Sequence, residues 1–211
     1  VIAVLLLVTP GVGAITWGVP DNGEHPHVGT LLFVQNGVGY YSCSGTLLSP
    51  TVMLTAGHCV EGAGNVNDVT YVRFEENALA GLAEAKSLDQ WLRKDWIKAK
   101  AVIPHPQYDD YAEFPLTYDV GLVILSKPVN LPVYGQLPPE NLLATLGPKD
   151  DSFTVVGYGS HGVLVPLQEL NDDYARYKGT VSLIEINSTF AGGASAKFTN
   201  NPGGGNGSGG S

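Results

Sequence analysis

Basic side chains are scarce. Eleven Lys and Arg stand against twenty Asp and Glu, scattered along 211 residues, for a net charge of −9. A phosphate backbone needs a concentrated basic face, so the composition argues against a nucleic-acid partner. Long hydrophobic runs are missing as well. The apolar stretch Val1–Val8 is far shorter than the about 20 residues that a membrane-crossing helix requires. No motif recurs with the period of roughly 20–50 residues that marks a repeat architecture, and no long segment sustains a helical period. Cysteine is nearly absent: there are two, Cys43 and Cys59.

Glycine and proline are plentiful instead, at 27 and 14 residues. With little helical periodicity, that favours many short strands joined by turns. In "GTLLFVQNGVGYYSCSGTLLSPTVMLT" (29–55) the Asn36-Gly37 pair is a hairpin signal and Ser49-Pro50 a second break, predicting three successive strands. "VTYVRFE" (69–75) alternates like a strand. The stretch "ENALAGLAEAKSLDQWLRKDW" (76–96) turns to Ala, Leu and Glu, predicting a short helix or an inserted surface loop. "AKAVIPHPQY" returns to strand, and "DVGLVILS" (119–126) reads as a strand buried on both faces. Prolines then cluster between Lys127 and Pro148, predicting a linker between two cores. "SFTVVGYGS" and "KGTVSLIEIN" are two further strands, and the tail "NNPGGGNGSGGS" reads as a flexible segment.

At the chain start, "VIAVLLLVTPGVGA" reads as the remainder of a secretory signal, with Val12-Gly13-Ala14 as its small-residue cleavage site. The alternative is a buried first strand. Secretion would let Cys43 and Cys59, sixteen residues apart, form a disulfide. The rival is a zinc site built from Cys43, His58 and Cys59, but adjacent His58 and Cys59 fit the usual ligand spacing poorly. A histidine held at a strand end beside a disulfide is suited to general-base work, since an imidazole titrates near neutral pH. Such a base gains from a carboxylate that fixes its tautomer. Asp119, at the mouth of an apolar strand, is the candidate; alone it would read as a turn or cap residue.

"SCSGTLLSPTVMLTAGHC" (42–59) resembles the segment around the general base of trypsin/chymotrypsin-like serine endopeptidases. "HPQYD" followed by "TYDVGLVIL" resembles the approach to that family's aspartate. "VVGYGS" (155–160) resembles its Gly-Trp-Gly strand, with Tyr158 in the tryptophan's place, and His25-Pro26-His27 resembles the entry strand of secreted bacterial-type members. The resemblance implies an all-β chain of two six-stranded antiparallel Greek-key barrels, the second incomplete here. It implies a signal remnant at 1–14, a first barrel at 15–130 and a linker with partial second barrel at 131–211. His58 becomes the base, Asp119 its orienting carboxylate, and Cys43–Cys59 the clamp beside the ring.

The serine is less clear. "NGSGGS" would make Ser208 the nucleophile, but Gly207 stands where the family has aspartate, Ser211 where it has proline, and no cysteine precedes. The better alignment puts Gly209-Gly210-Ser211 immediately before the family's nucleophile motif. The expectation is therefore a chain that stops short of its serine and is inactive as written, from a secreted hydrolase active at full length. That hydrolase would act as a monomer on protein or peptide substrates, without cofactor or metal, and away from membranes once its signal is cleaved. A catalytically inactive homologue that binds a protein partner is the alternative, and a secreted metal-binding protein using His58 and the cysteines is a third. Adjacent Glu75 and Glu76 diverge on a strand, which weighs against a calcium site there. Thiol titration of the native and denatured chain separates the cysteine readings: a disulfide leaves no free thiol in either state, whereas a zinc site yields two on denaturation.

Overall fold

The computed structural model describes residues 15, 18–61, 68–112, 116–148, 151–159, 161–163, 169–171, 173–187 and 196–199. The expected signal remnant, the Gly-rich tail and Ser208 lie outside them.

Strands are β1 (Val19–Pro20), β2 (Val28–Gln35), β3 (Val38–Ser49), β4 (Val52–Thr55) and β5 (Asp68–Arg73). After the helix α1 (Leu88–Asp95) come β6 (Ile97–Pro104), β7 (Gly121–Leu125), β8 (Ser152–Tyr158), β9 (His161–Val163), β10 (Glu169–Asn171), β11 (Arg176–Ile186) and β12 (Ala196–Phe198). Six of them close an antiparallel barrel in the order β2-β3-β4-β7-β6-β5. The β2–β3 turn holds Asn36 and Gly37 at φ of 53° and 80°, the left-handed pair that a two-residue hairpin of this twist demands.

Alternation fills the barrel. Leu31, Leu47, Met53, Val72 and Val123 are each 0% exposed, and burying a side chain of that size stabilises by roughly 1.5–3 kcal/mol. On β7 the burial alternates between buried and half-buried, so this strand has one core face rather than the two expected from its continuous apolar run. Its outer residues need only partial cover, because a barrel wall has one interior.

The 76–96 stretch is a run of turns ending in α1. Ser87 caps the helix by accepting from the Gln90 N–H at 3.2 Å, Asp89 sits in the first turn, and Arg93 and Lys94 sit in the last; both choices suit the helix dipole. Trp91 and Leu92 are buried on the outer face of the barrel with Val28, Val34, Trp96 and Tyr158. Past β7 the proline-rich segment is mostly irregular, with one 3-10 turn at Leu142–Thr145. It lies against the first barrel, where the Val129 N–H donates to Pro50 O and the Gly135 N–H to Leu47 O.

Beyond it, β11 is the centre of an open sheet: β8, β1 and β12 all pair with it antiparallel, and β9 pairs with β10. Among the described residues this second sheet does not close. Arg176, held in a buried ion pair, ties it to the barrel. Arg176 of β11 is 3% exposed and Asp21, just after β1, is 0% exposed. Arg176 Nε donates to Asp21 Oδ2 at 2.9 Å, while its Nη1 donates to Val28 O, Phe74 O and the Tyr158 hydroxyl, each at 3.0 Å. His25 completes the shell by donating its backbone N–H to Asp21 at 3.0 Å, with its ring Nδ1 on the other carboxylate oxygen.

Removing one partner of such a pair leaves the other charge buried. We expect Asp21→Asn to cost about 3–5 kcal/mol, read as a lower melting temperature. Burial alone would push the Asp21 carboxyl up, but the His25 hydrogen bonds and then Arg176 hold it below the usual carboxylate value. Its stabilisation is therefore complete above pH of about 4 and is lost as pH falls through the depressed native value. The melting temperature of the parent should drop more steeply than that of Asp21→Asn below that pH; parallel curves would contradict the assignment.

Candidate active site

Barrel closure brings the two halves of the site together. In the β4–β7 ladder Thr55 lies opposite Gly121, so His58, three residues past Thr55, and Asp119, two before Gly121, emerge side by side. The chain after β4 coils into a single turn, with the Val60 and Glu61 N–H groups both donating to Gly57 O at 2.9 Å. Cys59 within that turn is bonded to Cys43 in the middle of β3, which anchors the residue beside the histidine to the barrel wall. The sulfurs are spent in this bond. Although donor atoms of Cys43, His58 and Cys59 lie within 4.8 Å of one another, the disulfide rather than the zinc reading describes them.

Two glycines make the approach possible. A Cβ at Gly121 would stand 2.3 Å from Val60 Cγ2 and 2.8 Å from Ala56 O. One at Gly57 would stand 2.8 Å from the Tyr108 ring and 3.2 Å from Asp119 Oδ1. Real Cβ atoms do not come so close to backbone or ring, so any larger residue would push the histidine turn away from β7.

The Asp119 carboxylate receives two hydrogen bonds from one residue. The His58 backbone N–H donates to Oδ1 at 2.8 Å, and ring Nδ1 lies 2.8 Å from Oδ2. An ionised carboxylate only accepts, so Nδ1 carries the proton and Nε2 bears the lone pair. Burial would raise the Asp119 carboxyl, but the bonds from the His58 backbone and ring outweigh it and hold it below the ordinary value. The side chains keep 43% and 37% of their surface open to solvent. The ring is thus oriented yet reachable, as a proton acceptor must be.

A cleft of about 330 Å³ adjoins the carboxylate, lined by residues that include Val28, Ser44, Thr46, Thr55 and Asp119 from the first barrel and Val156 from the second sheet. Ser44 fastens its two walls: its Oγ accepts from the Tyr158 N–H at 2.8 Å and donates to Tyr158 O at 3.2 Å. Tyr158 is buried, which pushes its phenol up to about 12 against the pull of Arg176. The hydroxyl stays protonated and donates to Glu75 O at 2.6 Å.

The structure therefore joins His58, Asp119 and the Cys43–Cys59 disulfide. Ser208 lies outside the described residues, and among those described no serine hydroxyl bonds the ring. His25 is engaged by Asp21. The loop after Glu75 and Glu76 is gathered by Arg73, whose Nη1 donates to Ala80 O at 2.7 Å and Ala78 O at 3.2 Å. Sequence reasoning missed the Ser44–Tyr158 stitch and the Asp21–Arg176 pair. Tyr158 stood out only as a substitute for tryptophan, and nothing local links residues 155 positions apart.

Comparison with known proteins accords with this geometry. The family model described as Trypsin matches residues 15–200. Relatives include the "CLIP domain-containing serine protease B15" of Anopheles gambiae, 27% identical over 66% of this chain and 39% of its own length. "Phenoloxidase-activating factor 3" of Holotrichia diomphalia is also 27% identical, over 66% of this chain and 40% of its own. "Trypsin-2" of Salmo salar is 29% identical over 58% of this chain and 45% of its own. The matched part thus spans less than half of each of these relatives. The solved "Structure of GrC" superposes with a TM-score of 0.52 over 82% of this chain and 65% of that one, at 21% identity, and shows the same fold. A six-stranded antiparallel barrel with a histidine–aspartate pair on its rim and a family match over most of the sequence have one common explanation: this chain belongs to the trypsin family of serine-protease-type proteins.

Proposed function

We propose that this chain carries the general base and orienting carboxylate of a secreted serine endopeptidase. The observation that supports it most is the double engagement of Asp119 by the His58 ring and backbone, which leaves Nε2 as the free base. In the proposed reaction Nε2 removes the proton from a serine hydroxyl as its oxygen attacks a peptide carbonyl. The tetrahedral intermediate collapses when the imidazolium returns that proton to the departing amine, leaving an acyl-serine. Water enters, gives its proton to Nε2 and adds to the ester carbonyl; the serine leaves with that proton as the carboxylic acid product forms. Throughout, Asp119 stays ionised and supports the charge that appears on His58. No cofactor enters this cycle.

Secretion is part of the proposal, and the Cys43–Cys59 bond supports it, because such bonds persist in oxidising compartments. The cleft with walls from both sheets supports an extended polypeptide as substrate.

The test uses the secreted product of the intact gene, a peptide amide substrate and a serine-directed organophosphorus label. Asp119→Asn is expected to lower kcat by roughly 10⁴-fold and His58→Ala by roughly 10⁶-fold, with melting behaviour retained. In the 211-residue chain, turnover that disappears in Ser208→Ala would identify that residue as the nucleophile. A folded gene product that neither takes the label nor cleaves any peptide would instead establish the inactive, partner-binding homologue.

A further inference from the structure

The short segment from His105 to Tyr108 carries two rings that neither the hydrolytic cycle nor the core uses. Each touches the residue preceding one member of the His58–Asp119 pair. The Tyr108 ring lies so close to Gly57 that a Cβ there would be 2.8 Å from its edge. The His105 ring stacks on Tyr118, with centroids 5.1 Å apart and planes within 10°.

Tyr118 is the more telling contact. Its φ is 46°, a left-handed conformation that a bulky side chain adopts only when its surroundings impose it. Directly after it the chain turns sharply at Asp119, where the Val120 N–H reaches back to Tyr118 O at 2.7 Å. From this turn the carboxylate reaches His58. His105 holds the turn from both sides: its N–H donates to Val120 O at 2.8 Å, and its ring covers Tyr118. The His105 Nδ1 accepts from the Gln107 N–H at 3.2 Å, which sets the ring's orientation and places Tyr108 next in line, its own N–H on His105 O at 2.9 Å. The Tyr108 hydroxyl is buried, and its ionisation is pushed up by that burial, then by Asp110, Glu61 and Asp119. The ring therefore lies within the field of the site.

We propose that His105 and Tyr108 are positioning residues for the His58–Asp119 pair, His105 acting through the strained Tyr118 turn and Tyr108 through Gly57. This rests on the reading of that pair as a general base with its orienting carboxylate. One four-residue segment thereby clamps both halves of a pair sixty-one residues apart.

The pair has a signature that does not need turnover: a low-field proton resonance from the His58 Nδ1–H held by Asp119, identifiable in a chain with only five histidines. It is expected in the parent chain and absent from Asp119→Asn. His105→Ala and Tyr108→Leu should broaden or abolish it at unchanged far-UV dichroism, while His105→Phe and Tyr108→Phe, which keep a flat ring, should retain it. Tyr108→Leu, which leaves Gly57 and the histidine turn unaltered, decides the matter should His105→Ala not fold. In the intact gene product His105→Ala should lower kcat roughly 10²-fold at unchanged KM, the size of effect that a misplaced catalytic group brings. Folded His105→Ala and Tyr108→Leu chains with the parent resonance overturn the clamp. A folded parent without any such resonance overturns the reading of the pair itself, and the clamp with it.

Discussion

Closure of the first barrel is the constraint on which the site depends. The β4–β7 ladder that completes the ring also sets the distance between the histidine turn and the aspartate turn. Each turn hangs from the end of a strand whose inner face is packed to near-zero exposure. A close-packed interior transmits small displacements rather than absorbing them. The rim groups inherit that stiffness without being buried themselves, which is why a pair more than one-third open to solvent can still be oriented by two short hydrogen bonds.

The two sheets meet through a set of directional polar bonds beside the apolar cluster around Trp91 and Tyr158. Arg176 and Asp21 are buried together, with main-chain carbonyls and the Tyr158 hydroxyl accepting from Arg176 Nη1, and Ser44 bridges to the Tyr158 backbone. A buried ion pair is a costly way to gain stability. Its directional bonds, however, fix how the second sheet lies on the first. In this molecule that matters at the cleft, where Val156 faces Ser44, Thr46 and Thr55. The same joint draws in the segment from Asp21 to Val28, so the entry to the barrel and the wall of the cleft share one set of contacts.

Strain and small residues both take part in building the site, as they do elsewhere in the fold. Gly57 and Gly121 stand where a methyl group would strike its neighbours, and Tyr118 keeps a backbone conformation foreign to its shape. Local preference is overridden there because tertiary packing has more to gain. Arg73 offers a parallel away from the site: its guanidinium gathers the carbonyls of the loop after β5 and lies over Trp91 and Trp96, holding an otherwise irregular stretch against the barrel wall.

The strand succession from Gly29 to Thr55, the Asn36-Gly37 turn and the helix-forming character near Leu88 were legible from residue order, because turn chemistry and period-two patterning act over a few positions; the candidacy of His58 with Asp119 rested on the resemblance of their segments to a known family. The single buried face of β7 was not legible, since a run of apolar residues reads alike whether it lines one side of a wall or sits between two layers. Nor were Arg176 with Asp21, Ser44 with Tyr158, or His105 on Tyr118 legible, for these are meetings between remote segments, and no local pattern encodes them. What the order of residues determined by itself was which short elements form and which chemical groups they carry. That an imidazole and a carboxylate sixty-one residues apart in the chain meet in a hydrogen bond was decided only when the ring of strands closed, because such a bond needs ångström-scale placement that propensity cannot supply.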